Sequence, residues 1–78
     1  MSTGIKIDIA FGERLRKIRL SCQKTQNDVV IYMQLHSFDI SRESYAKIEL
    51  GYRKVSFEEL VCLQGLFKCD YSAFFEVD

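Results

Sequence analysis

Thr25-Gln26-Asn27-Asp28-Val29-Val30, then Ile40-Ser41-Arg42-Glu43-Ser44-Tyr45-Ala46-Lys47-Ile48-Glu49, then Gly51-Tyr52-Arg53, are the stretches that decide the fold of this 78-residue chain. Each of the first two has a hydroxyl residue, Thr25 or Ser41, placed to cap a helix and continues with apolar residues at helical spacing. In the second, Tyr45 and Ile48 make a short inward stripe, while Arg42, Glu43, Ser44 and Lys47 point elsewhere. Gly51 suits a C-terminal stop. The pattern is that of a helix anchored by one face, with a compact polar face near its start.

Working outward, the spacing predicts three more helices. Phe11, Leu15, Ile18 and Cys22 recur at helical intervals and define a first helix from about Phe11 to Cys22. Thr25 caps the second, where Asp28 favours the positive end and Val29, Val30 and Met33 face inward, with an end near Leu35. Ser56 and Glu59 form a capping-box pattern for a fourth helix carrying Phe57, Leu60, Val61, Leu63, Leu66 and Phe67, expected at the centre of the core. Asp70 is the expected cap of a short last helix, Tyr71 to Phe75, whose Phe74 and Phe75 either close the core or stay available to a partner. Ile5-Lys6-Ile7-Asp8-Ile9 alternates with the period of a strand, so residues 1–10 are read as an arm or short β-strand and 11–78 as one all-α domain of five helices.

Composition agrees with a small binding module. The chain is 47% hydrophobic, contains no proline and has no apolar run long enough to span a bilayer. Without a secretory-signal layout at its start, it is expected in the cytoplasm and off the membrane. Its three cysteines, Cys22, Cys62 and Cys69, leave one over in any pairing and include no Cys-x-x-Cys. Neither a disulfide framework nor a zinc site is indicated, and each is expected as a small buried hydrophobe.

Net charge is zero, which opposes a nucleic-acid partner until the distribution is read. Between Gly12 and Lys24 stand Arg14, Arg16, Lys17, Arg19 and Lys24 against Glu13 alone. From Val55 to Asp78 stand Glu58, Glu59, Asp70, Glu76 and Asp78 against Lys68 alone. Basic residues come first and acidic ones last, although many such charges simply solvate helix faces.

No catalytic constellation is visible. His36 is the sole histidine and has no second ligand or partner, the serines have no adjacent base, and no phosphate-binding glycine loop occurs. An enzyme, a metal and a cofactor are therefore not expected.

In order, Gly12-Glu13-Arg14-Leu15-Arg16-Lys17-Ile18-Arg19, Thr25-Gln26, Ile40-Ser41-Arg42 and Lys47-Ile48-Glu49-x-Gly51-x-Arg53 resemble the landmarks of lambda-repressor-like helix-turn-helix regulators of the XRE type, over Phe11 to Phe75. The resemblance implies that Gln26, with Thr25, meets the DNA backbone at the start of the second helix. It implies that the third helix enters the major groove with Arg42, Glu43, Ser44 and Lys47, and that Tyr52 and Arg53 meet phosphate. Arg42 suits paired hydrogen bonds to guanine, Lys47 a base edge or phosphate, and Glu43 a cytosine amino group or a neighbouring arginine. Glu49 is expected to brace Arg14 or Arg19 rather than touch DNA.

Two departures from the family pattern stand out. The segment Gln34 to Asp39 lengthens the turn before the third helix, and Val55 replaces a common proline. The reading is a sequence-specific DNA-binding transcriptional regulator that occupies an operator, expected to be a homodimer because one helix contacts too few base pairs. Its dimer candidates are the Ile5/Ile7/Ile9 strand, Ile31-Tyr32, and Phe74, Phe75 and Val77. Polymerase or a toxin would be a further partner. The alternative is an antitoxin or protein-interaction module of the same fold with weak or no DNA binding.

Overall fold

The computed structural model describes residues 9–75, and its helices are α1 (Ile9–Ser21), α2 (Gln26–Leu35), α3 (Arg42–Glu49), α4 (Phe57–Phe67) and α5 (Ser72–Phe75). Among the described residues there is no strand, and no helix is long and apolar enough to cross a membrane. Of the alternating segment, Ile5 to Asp8 lie outside the described residues and Ile9 opens α1. The first helix thus begins two residues before Phe11. Phe11 is buried, with its ring 6.2 Å from Phe74 and 5.7 Å from Phe75, and this anchors the first turns of α1 on α5.

The caps form where hydroxyl residues precede α2, α3 and α4. Thr25 and Asp28 make a reciprocal box at α2, Ser41 accepts from the Ser44 amide at α3, and Ser56 and Glu59 make a second box at α4. α2 ends at Leu35 and α3 stops before Gly51, as expected, and α1 ends at Ser21, one residue before Cys22. α1, α2 and α3 close on the same kind of bond, in which the amides of Lys24, Phe38 and Tyr52 donate to the carbonyls of Arg19, Met33 and Lys47. The residue just before each of those donors is left-handed, Gln23 at φ 57, Ser37 at φ 72 and Gly51 at φ 84. α4 ends on left-handed Lys68. Only at α3 is that residue a glycine.

α1 packs on α3 and α5, and α2 packs on α3 and α4. The shared core includes Leu15, Val29, Met33, Tyr45, Ile48, Leu63 and Phe74, all fully enclosed. A methyl at Gly12 would overlap the carbonyl oxygens of Ile48 and Glu49, so α1 crosses the end of α3 at a spacing only glycine permits.

Several expectations are corrected by this packing. α4 buries Leu60, Leu63 and Phe67, but Phe57 is 68% and Val61 41% exposed. One stripe of α4 meets α2, and residues 57 and 61, one turn apart, lie off it. The three cysteines are half-buried at the margins of the core rather than enclosed. The last helix starts at Ser72 instead of Tyr71, with the Asp70 carbonyl accepting from the Ala73 amide. Phe74 closes the core while Phe75 stays partly exposed.

Of the segment Gln34 to Asp39, Gln34 and Leu35 belong to α2. The turn is tied at its ends by the Gln34 Nε2 donating to the Ile40 carbonyl at 3.0 Å. Ile40 is buried and Phe38 packs against the core, so the start of α3 is held by side chains as well as by its cap.

Candidate nucleic-acid interface

α3 is eight residues long, and its 3.6-residue period sorts those residues into two faces. Tyr45, Ile48 and Glu49 are buried, whereas Arg42, Glu43 and Lys47 are exposed and Ser44 is half-buried. Glu43 and Lys47 fall near the middle of the outward face, with Arg42 and Ser44 on its two flanks. The side chains of Arg42, Glu43 and Lys47 make no hydrogen bond or ion pair among the described residues. They are three unengaged charged groups on a helix whose inner face is immobilised.

The immobilisation is ionic as well as apolar. Arg19 on α1 donates through Nε to Glu49 Oε2 at 2.7 Å and through Nη2 to Oε1 at 3.0 Å, and its Nη1 reaches the Lys24 carbonyl at 2.9 Å. Of the two arginines expected to brace Glu49, the structure selects Arg19. Burial pushes the Glu49 carboxyl up, but the hydrogen bond from Arg19, then the nearby Tyr45 hydroxyl and the hydrogen bond from Gln26, prevail and hold it below the usual range. The Tyr45 hydroxyl is buried close enough to feel both charges, yet has no partner at hydrogen-bond distance among the described residues. Burial first, then the neighbouring carboxylate, pushes that phenol far up.

At the start of α2, the Thr25 hydroxyl accepts from the Asp28 amide at 3.0 Å and the Asp28 carboxylate accepts from the Thr25 amide at 2.8 Å. The backbone N–H of Thr25 holds the exposed Asp28 carboxyl down. The box leaves the amides of Gln26 and Asn27 without partners among the described residues. Two free amides at a helix N-terminus suit an anionic oxygen. The Gln26 side chain is half-buried and donates to Glu49 Oε1 at 3.1 Å.

Beyond α3, the two expected phosphate contacts part company. Tyr52 is 80% exposed. Arg53 instead makes a two-pronged pair with Glu59, at 3.1 and 2.9 Å, and also donates to the Lys54 carbonyl at 3.1 Å. Burial raises the Glu59 carboxyl, while Arg53 and the Ser56 amide lower it further than burial lifts it. Arg53 therefore braces the α4 capping box. Lys54, exposed and with its ammonium unengaged among the described residues, is a basic group that the sequence reading passed over. Its place in the run Tyr52-Arg53-Lys54 was the available signal. Asn27 was missed for a different reason, since what it offers is a backbone amide and not a side chain.

The described parts of the candidate site are thus the outer face of α3, the first turn of α2 and the segment after Gly51. Among the described residues, no three His, Cys, Asp or Glu side chains converge as metal ligands. No family model matches the chain, and no curated protein is significantly similar to it.

Proposed function

We propose that this chain is a sequence-specific double-stranded DNA-binding regulator with a lambda-repressor-like helix-turn-helix arrangement, in which α2 and α3 form the motif and α3 enters the major groove. The observation that carries the reading is the two-faced α3. Arg42, Glu43 and Lys47 project unengaged while Tyr45, Ile48 and Glu49 lock the same helix to the core. A reading helix needs this combination, because base contacts demand polar groups held in a fixed register. The free amides of Gln26 and Asn27, Tyr52 and Lys54 supply the sequence-independent phosphate contacts. In this reading the chain acts in the cytoplasm as a homodimer, placing two α3 helices about 34 Å apart on an inverted repeat.

Selection of bound duplexes from a random DNA library at moderate salt tests it, with a folded Arg42→Ala/Lys47→Ala double variant as control. Enrichment of an inverted repeat by the native chain alone is expected. No enrichment by either protein overturns the reading.

A second reading, an antitoxin or protein-interaction module, is favoured by a specific observation. The net charge is zero and Leu35, Phe57, Ile31 and Val61 are 78%, 68%, 47% and 41% exposed. Apolar groups of that size on two helices suit a protein partner.

A further inference from the structure

We infer that Glu49 is a positioning residue, whose buried carboxylate orders the Gln26 carboxamide at the start of α2 and thereby presents it to a DNA phosphate. The inference rests on the DNA-binding reading and adds to it a residue that itself touches no DNA.

Glu49 Oε1 receives two donors, Arg19 Nη2 at 3.0 Å and Gln26 Nε2 at 3.1 Å. A carboxylate only accepts, so it attracts the NH2 group of a glutamine and repels the carbonyl oxygen. The orientation of the Gln26 amide is thus chosen by its neighbour. One hydrogen of that NH2 is engaged and the second has no partner among the described residues, close in sequence to the backbone amides of Gln26 and Asn27, which likewise have none there. Phosphate oxygens only accept as well, so an N–H is the group they need.

Glu49 is able to impose this order because it is itself fixed. It is 5% exposed, and Arg19, 7% exposed, grips both of its oxygens. Charge in so dry a place is little screened. The chain of contacts runs from α1 through Arg19 to the last residue of α3, and from there to the first residue of α2. The α2 and α3 parts of the candidate interface are therefore both referenced to one carboxylate.

A double-mutant cycle on a short mixed-sequence duplex at low salt tests the coupling, since phosphate contacts do not depend on sequence. Gln26→Ala is expected to weaken binding about tenfold, the loss of one hydrogen bond to a charged group. Glu49→Gln, which keeps the length but no longer dictates the amide orientation, is expected to weaken it about threefold, the cost of ordering one freed side chain. In the Gln26→Ala background, Glu49→Gln should add no further loss. Independent, additive losses overturn the inference while leaving the DNA-binding reading intact. A native chain that binds no duplex overturns both.

If Glu49→Gln does not fold, the native chain still answers through its side-chain amide NMR signals. The Gln26 NH2 resonances are expected to be displaced from those of exposed Gln23 and to move as Glu49 is protonated on acidification. Gln26 signals that coincide with those of Gln23 and ignore pH overturn the positioning role.

Discussion

Arg19 and Glu49, thirty positions apart in the chain, meet at 2.7 Å inside the protein and hold α3 against α1. Each is nearly enclosed, so neither charge has water to fall back on. A buried pair of this kind adds little over a well-packed apolar replacement, but removing one partner strands the other. Glu49→Ala is expected to lower stability by about 3–5 kcal/mol, a large share of what a domain this small can hold. An Arg19→Met/Glu49→Leu double variant should recover most of the loss. Urea unfolding of the three proteins checks this, and equal stability of native chain and Glu49→Ala would refute it.

The same carboxylate makes stability depend on acid. Glu49 and Glu59 are both held below their ordinary value of 4.5 in the folded protein. For a depressed carboxyl the folded state binds fewer protons than the unfolded chain over the titration range, so stability rises with pH there. The contribution is complete above 4.5 and is lost as pH falls through the depressed folded values. Thermal midpoints measured across the acid range should drop steeply for the native chain and less steeply for Glu59→Gln.

At the crossing of α1 and α3, Gly12→Ala is expected to destabilise although alanine is the better helix former. The added methyl meets backbone carbonyls of Ile48 and Glu49, which cannot turn aside as a side chain would. The expected loss is about 1–3 kcal/mol, typical of an overpacked core. Denaturant titration reads it directly, and an unchanged or raised midpoint would show that the two helices separate freely.

For the interface, salt dependence separates phosphate contacts from structural charges. Lys54→Ala should make the slope of log K against log salt shallower by about one unit, as expected for one neutralised phosphate. Arg53→Ala should act mainly on the thermal midpoint, because its guanidinium is engaged by Glu59. A full unit of slope lost in Arg53→Ala, with the midpoint unmoved, would return Arg53 to the phosphate backbone.

Much of the helical frame was legible because it rests on local chemistry. Thr25, Ser41 and Ser56 cap helices through groups three residues away, and Tyr45 and Ile48 face inward by the helical period alone. The polar face of α3 was readable for the same reason. The ends of α2 near Leu35 and of α3 before Gly51 were readable too, but the left-handed residues Gln23, Ser37 and Lys68 were not, because that conformation usually advertises itself as glycine. Phe57 and Val61 misled for a related reason, since an apolar composition does not say which stripe of α4 meets a neighbour.

What the sequence by itself determined is therefore the all-α character, the starts of α2, α3 and α4 and the division of α3 into an inner and an outer face, since each depends on residues within one or two turns. Only the tertiary structure decided that Glu49 takes Arg19 and not Arg14, that Gln26 leans on that same carboxylate, and that Arg53 is committed to Glu59. The Glu49 and Gln26 contacts join different helices, and the Arg53 pair depends on how the α3–α4 connection folds back on α4. Such choices are made by which side chains the packing of the helices brings within reach, a property no local pattern encodes.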